Sequence, residues 1–219
     1  MASPKHQVPA EDKAFKRLLK KAAVHTSATL VESLHVYSAA LPSAIKPVDP
    51  RLSICAPAFP VSTPPGDNLA IHQAIYAAAP GDVLVVDTGG LYEAGYWGDV
   101  MTHAARARRL GGLVIDGSIR DIREISTSRF PVFARGACIR GTTKKGGGTV
   151  GEPIMIGDTK VTRGDLVVGD RDGVVIIPRA EVARVLEAAT ARVDREARAM
   201  KELSAGKATT LGMYKWPSA

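Results

Sequence analysis

Residues 81–121 read GDVLVVDTGGLYEAGYWGDVMTHAARARRLGGLVIDGSIRD, and their order decides the fold class. VLVVD (83–87) and LVID (113–116) are short, continuous apolar runs closed by an acid, the pattern of strands buried on both faces. Between them lie a glycine-rich loop over 89–98 and a helix-period segment over 100–109. Strand, loop, helix and second strand make an α/β unit.

Outward from this unit, residues 52–62 (LSICAPAFPVS) read as a strand. The turn Pro64-Pro65-Gly66-Asp67-Asn68 caps a helix over 69–79, which Pro80-Gly81 ends. Downstream, 120–126 fits a short helix and PVFARG (131–136) a strand. Lys144-Lys145-Gly146-Gly147-Gly148 reads as a flexible link. It leads to short strands in PIMIG, TKVTR, DLVVGD and GVVIIP and to a long closing helix over 181–203. Upstream, Phe15, Leu18 and Leu19 recur at helical spacing, and Thr26 or Ser27 starts a second helix through Val31, Leu34 and Val36. Pro42, Pro47 and Pro50 break that pattern. Residues 1–10 are expected to form a mobile tail, 11–210 one domain and 211–219 a C-terminal tail. PGDVLVVD (80–87) and RGDLVVGD (163–170) echo each other, and either a shared turn habit or an internal duplication accounts for it.

The 219 residues are 45% hydrophobic and 23% charged, enough to bury a core and ordinary for a globular chain of one domain or two at most. No apolar run reaches the roughly 18 residues of a membrane helix, and the first thirty residues lack the order of a signal peptide. A cytoplasmic protein with no membrane partner is the expectation. Cys55 and Cys138, without a CxxC or a His/Cys cluster, argue against a disulfide scaffold and a structural zinc site, and both are expected to be buried and inert.

The net charge of +7 is concentrated. Residues 106–145 hold ten basic side chains against Asp116, Asp121 and Glu124, which is the whole excess. Such a field suits an anion, either a small acid or a nucleic-acid backbone, although a solvated basic face has the same composition. Aromatic residues are 5% of the chain and do not interleave with the arginines, so no stacking platform for single strands is visible. Nucleic acid falls behind a small acid.

Candidate chemistry sits where strands end and helices begin. Gly98-Asp99-Val100-Met101 opens a helix whose first N–H groups form a site for a carboxylate, and Gly98 lets a ligand approach the backbone. Twenty residues beyond Asp99, the strand LVID runs into Gly117-Ser118-Ile119-Arg120-Asp121. Arg120 offers a planar fork for a carboxylate or enolate oxygen, and Asp121 can hold Mg²⁺ or Mn²⁺. An ordinary ion pair or an Asp helix cap is the competing explanation of the dipeptide.

GDNLAIHQAI (66–75), GDVLVVD (81–87), GYWGD (95–99), GGLVIDGSIRDIREI (111–125), FPVFARG (130–136), GDLVVGDRDGVVIIP (164–178) and GMY (212–214) resemble the regulator of ribonuclease activity A (RraA-like) superfamily. Within it they are most similar to the 4-hydroxy-4-methyl-2-oxoglutarate / 4-carboxy-4-hydroxy-2-oxoadipate aldolases of aromatic compound catabolism, over about residues 22–214. The resemblance implies a compact α/β sandwich like the swivelling phosphohistidine domains, assembled as a trimer or hexamer with the active site between subunits. It implies a divalent-metal-dependent pyruvate aldolase acting on small 2-oxo acids, with oxaloacetate decarboxylation. Asp121 matches the metal-holding acid, Arg120 the arginine on the pyruvyl oxygen and Asp99 an acid that holds a metal-bound water. Gly98, Val100 and Met101 match the segment whose amides bind the substrate carboxylate. Glu196, in VDREAR, matches a glutamate from the neighbouring subunit, with Glu187 and Glu202 on the same helix as alternatives.

Cleavage of a 4-hydroxy-2-oxo acid requires removal of the hydroxyl proton and stabilisation of the pyruvate enolate. Arg120 suits the second task, and Asp99 or the partner glutamate, through water, the first. A Schiff-base lysine is the competing design, but Lys144 and Lys145 lie in a glycine-rich link without signs of desolvation. Tyr92, Tyr96 and Trp97 precede Asp99 and either shape the pocket or pack between subunits. The C-terminal end is shorter than the extension the resemblance implies, which bears on substrate range. A non-catalytic, ribonuclease-regulating binding protein is the alternative function. A menaquinone methyltransferase has no support, because no GxGxG loop follows an early strand.

Overall fold

The computed structural model describes residues 10–34 and 39–213. Two helices come first, α1 (Ala10–Ala22) and α2 (Ser27–Leu34). The sheet and its helices follow as β1 (Lys46–Pro47), β2 (Ile54–Ser62), α3 (Leu69–Ala77), β3 (Val83–Asp87), β4 (Gly95–Trp97), α4 (Asp99–Ala107), β5 (Gly112–Asp116), β6 (Ser118–Ile119) and α5 (Ile122–Thr127). The remainder comprises β7 (Val132–Ala134), β8 (Gly136–Ala137), β9 (Thr149–Val150), β10 (Ile154–Ile156), β11 (Thr159–Val161), β12 (Leu166–Gly169), β13 (Val174–Ile177), α6 (Val182–Ser204) and α7 (Thr210–Met213).

The main sheet has the order β1-β7-β5-β3-β2-β12-β13, with β9 also on β2. Strands β2, β3, β5 and β7 are mutually parallel, whereas β1, β12 and β13 join antiparallel. Alternation along β3 explains its unbroken apolar run: Leu84 and Val86 pack with Ile71, Ile75 and Met101 of α3 and α4. Val83 and Val85 pack on the other face with Ile154, Ile156 and Val161 of the β10–β11 hairpin. Helices α1, α2 and α6 cover β12 and β13 through Phe15, Leu30, Val185 and Leu186. Leu84 is fully buried, so its truncation to Ala would cost roughly 2–5 kcal/mol. No helix among the described residues is long and apolar enough to cross a membrane.

The structure revises several expectations. The glycine-rich link is not free: Asp67 Oδ2 accepts from the Thr143 hydroxyl (2.7 Å) and the Lys145 amide (2.5 Å), which fastens it to the start of α3. Asp67 Oδ1 also accepts from the Leu69 amide (2.9 Å), while the Asn68 side chain makes no capping bond. Residue 120 does not begin a helix, because Asp121 is left-handed (φ 59°) and α5 starts after it. The short β4 lies inside the span expected to be loop. Both cysteines are only partly buried, and burial pushes the Cys55 thiol up to about 11. Helix α1 starts at Ala10 and residues 211–213 belong to α7, within segments expected to be tails. Val36, residues 1–9 and residues 214–219 lie outside the described residues.

The two echoing segments flank β2 on opposite sides and run in opposite directions. What they share is the turn: Asp82 accepts from the Ala79 amide (2.9 Å) and Asp165 from the Thr162 amide (2.8 Å), three residues back in each case. That is the shared turn habit rather than a repeated arrangement in the sheet.

Candidate active site

Two short parallel strands bring the candidate residues together. Gly95 of β4 lies beside Ser118 of β6, and Trp97 beside Ile119, so β4 delivers Gly98 and α4 to the place where β6 delivers Arg120 and Asp121. The Arg120 amide donates to the Trp97 carbonyl (2.9 Å), and the Asp99 amide donates to Asp121 Oδ2 (2.9 Å). Arg120 Nε lies 3.8 Å from the same carboxylate oxygen. A Cβ at Gly98 would stand 2.5 Å from Asp121 Oδ2, so any larger residue here must displace that carboxylate.

The first bond inside α4 runs from the Thr102 amide to the Gly98 carbonyl, which leaves the Val100 and Met101 amides without an intrahelical acceptor. The buried Trp97 indole donates to the Thr102 hydroxyl (2.7 Å), whose oxygen lies 3.1 Å from the Gly98 carbonyl, bracing this first turn from below. A cavity of about 290 Å³ opens beside it, with Gly98, Val100, Met101, Arg120 and Asp121 in its wall. Helix residues whose amides lack an intrahelical acceptor, and a guanidinium, in one cavity wall suit a carboxylate or an enolate oxygen.

Asn68, His72, Gly95, Tyr96, Trp97, Gly141, Thr142 and Lys144 complete the wall, so two of the three aromatic residues before Asp99 do shape the cavity. Asn68 figured in the sequence only as a turn residue, and nothing around His72 marks it, since it is a lone histidine on a mostly apolar helix. Burial and then the Lys144 charge lower the His72 pKa, favouring the neutral ring. Lys144 enters the wall because Asp67 holds its loop. Asn68 donates from Nδ2 to the Tyr96 carbonyl (2.9 Å) while its buried Oδ1 has no partner among the described residues.

The Asp99 carboxylate is turned along α4 to His103 Nδ1, 3.2 Å away. Glu196 is not in the cavity wall: it pairs with Arg192 one turn earlier on α6 (2.7 Å), and Arg192 also pairs with Glu32 of α2. Tyr96 and Trp97 are fully buried within the chain's own core, so packing between subunits is not their role. The Tyr96 hydroxyl donates to the Leu91 carbonyl and accepts from the Gly66 amide. Tyr92 lies under the Arg135 guanidinium, 4.1 Å from the ring centre, and Arg135 in turn binds Asp116 (2.5 Å).

Mg²⁺ typically binds through one or two carboxylates and keeps several waters, unlike ions that need an all-protein cage. The described residues contain no group of three or more His, Cys, Asp or Glu side chains placed to share an ion. They do contain Asp121 on the cavity wall, one hard carboxylate of the kind that Mg²⁺ or Mn²⁺ takes together with waters, whereas Asp99 meets it only through its amide and does not line the cavity.

The family model described as RraA-like, Aldolase/RraA, matches residues 27–176. A protein of Halalkalibacterium halodurans provisionally named a 4-hydroxy-4-methyl-2-oxoglutarate aldolase is 41% identical over 159 residues, covering 72% of this chain and 76% of that one. A crystal structure of an uncharacterized Pseudomonas syringae protein superposes with a TM-score of 0.76 at 28% identity, over 88% of this chain and 94% of that one. The RNA-processing inhibitor RraA of Thermus thermophilis superposes with a TM-score of 0.59 at 25% identity, over 64% of this chain and 84% of that one.

Proposed function

The chain belongs to the Aldolase/RraA family, and on that premise we propose that it is a divalent-metal-dependent aldolase. It cleaves 4-hydroxy-2-oxo di- and tricarboxylic acids to pyruvate and a second oxo acid, and it decarboxylates oxaloacetate. The observation that carries this reading is the hydrogen bond from the Asp99 amide to Asp121. It sets the Asp121 carboxylate, the Arg120 guanidinium and the first turn of α4 around one cavity.

In this reading the Val100 and Met101 amides bind the C1 carboxylate, and Asp121 holds Mg²⁺ or Mn²⁺. The ion, when bound, supplies Lewis acidity at the 2-oxo group. Arg120 adds fixed positive charge where the enolate oxygen develops, which favours the transition state over the ground state. Asp99 orients the water that takes the C4 hydroxyl proton and later returns a proton to the enolate carbon. Glu196 reaches this site only from another copy of the chain, so the reading includes a trimer or hexamer in the cytoplasm.

The test is pyruvate release from oxaloacetate and 4-hydroxy-4-methyl-2-oxoglutarate with Mg²⁺ or with EDTA. Release with Mg²⁺ that EDTA abolishes is the expected result. Full activity in EDTA, with borohydride trapping at Lys144, would replace the metal mechanism by a Schiff base. The likeness to the Thermus RNA-processing inhibitor supports a second reading, a non-catalytic regulator of a ribonuclease. No pyruvate release under any condition, with inhibition of a ribonuclease, would establish that one instead.

A further inference from the structure

A groove of about 910 Å³ lies between α1 and α6 and shares no residue with the cavity around Arg120 and Asp121. Leu18, half-buried, and Leu186, buried, give it an apolar lining, while Val24 beside them is 79% exposed. Its charges divide by helix. Lys20 and Lys21 line it from α1, and Glu187 and Asp194 line it from α6. The two acids are seven residues apart, which puts them on one face of α6. Elsewhere on that helix charge is satisfied inside the chain, where Arg192 pairs with Glu32 and Glu196. Among the described residues none of the Lys20, Lys21, Glu187 and Asp194 side chains has a hydrogen-bond or ion-pair partner, although both signs border one groove.

We propose that the α1–α6 groove is a docking surface for a second copy of this chain, joined about a two-fold axis. In such a contact the same patch serves both copies, so a residue i that meets j is matched by j meeting i. The basic α1 side of each copy then lies against the acidic α6 side of the other, and each exposed Val24 has the partner's groove to enter. Burial of the apolar side chains favours association, and the opposed charges fix its register. A partner of one sign, such as a nucleic acid or an acidic peptide, would satisfy one side of the groove and oppose the other. A second copy carries both signs in the right order. Of the trimer and hexamer in the reading above, the contact selects the hexamer, as two trimers joined across α1 and α6. It does not depend on the aldolase chemistry.

The full chain would be compared by light scattering with two charge-reversed variants, Lys20→Glu with Lys21→Glu and Glu187→Lys with Asp194→Lys. The wild type should contain an even number of chains. Each variant alone should contain half that number, because every opposed pair across the axis becomes like-charged. Mixed in equal amounts, the two variants should return to the wild-type mass, since the reversed sides then oppose one another and so do the native ones. Only pairing between copies of this chain gives that rescue. All four residues are exposed, so circular dichroism of both variants should match the wild type. A wild type with an odd number of chains overturns the proposal and leaves the groove to some other partner. Variants that keep the wild-type mass, or a mixture that stays at half, overturn it as well. Pyruvate release from oxaloacetate, measured on the same wild-type sample, tests the aldolase reading separately: no release with the expected masses overturns that reading and leaves the docking surface in place.

Discussion

The Asp99 amide donates to Oδ2 of Asp121 across 22 residues of chain, at 2.9 Å, and Gly98 stands directly over this contact. A Cβ on residue 98 would come within 2.5 Å of that oxygen and 3.4 Å of Arg120 Cγ and Nε. The Gly98 backbone is extended (φ −155°), a conformation any residue adopts, so the conflict lies wholly with the neighbouring site. Gly98→Ala should therefore fold with a near-normal thermal midpoint while losing on the order of 10²-fold in kcat/KM, as misplacement by about an ångström typically does. Calorimetry beside steady-state kinetics checks both halves.

Replacement of the three site residues should give an ordered pattern. Asp121→Asn keeps a residue that tolerates the left-handed conformation and removes the negative charge, so Mg²⁺ binding and turnover should fall together. Asp99→Ala should keep most Mg²⁺ affinity and lose on the order of 10²–10⁴ in rate, because it removes a group that handles a proton. Arg120→Lys keeps the charge but loses the planar fork, and its damage should appear mainly in kcat/KM. Calorimetric Mg²⁺ titration of each variant decides the order. Retained Mg²⁺ affinity and rate in Asp121→Asn would leave Arg120-Asp121 a structural ion pair.

His72 and Lys144 share the cavity wall, and the Lys144 charge is the second cause, after burial, of the lowered His72 pKa. Lys144→Met should raise the His72 pKa without bringing it fully back to the ordinary value of about 6.5, since burial remains. An NMR titration of the His72 ring protons reads the shift directly. A midpoint that does not move would mean that the loop holds Lys144 away from the cavity in solution.

Strands β3 and β5 were legible in the sequence because both of their faces are buried: VLVVD and LVID needed no knowledge of partners. The spacing from Asp99 to Arg120-Asp121 was equally legible, but the β4–β6 pairing that turns spacing into contact was not. Two strands of three and two residues leave no periodic signal. His72 and Lys144 were silent for a related reason. Lys144 joins the site through Asp67, whose bonds to residues 143–145 span more than seventy positions, and a glycine-rich run alone reads as slack chain, while His72 is a lone histidine on a mostly apolar helix.

Asp170 caps α2 from the far side of the sequence: its carboxylate accepts from the Ser27 amide and hydroxyl, both at 2.7 Å. Burial alone would raise its pKa, but the Ser27 bonds, with those from the Asp172 and Gly173 amides, lower it overall. Asp170→Ala should cost about 1 kcal/mol, the usual loss on removing a cap, and lower Tm by about 2–4 °C for a chain of this size. The folded pKa is depressed, so this stabilisation is complete above the unfolded value of about 4 and is lost as pH falls through the folded value. Thermal melts from pH 6 downward should show the wild type and the variant converging below pH 4.

Asp67 links stability to the cavity. The Leu69 amide, with the Thr143 hydroxyl and the Lys145 and Gly146 amides, holds its carboxyl down to about 2 against the opposing effect of burial. Its contribution to stability is full above the unfolded pKa of about 4 and disappears as pH falls from about 4 to about 2. Asp67→Asn puts an NH₂ group where one carboxylate oxygen accepts these donors, or else turns that group on the Leu69 amide. Either orientation leaves N–H groups facing N–H groups. The loop over 143–146 should then loosen, lowering Tm at neutral pH and flattening the acid limb of the stability curve between pH 4 and 2. Because the same loop sets Lys144 in the wall, KM for oxaloacetate should rise while kcat changes little, the signature of lost uniform binding. Melts across pH 2–7 together with Michaelis–Menten kinetics at pH 7 measure both effects on one variant. A lower Tm with unchanged KM would show that the cavity does not depend on the loop Asp67 holds.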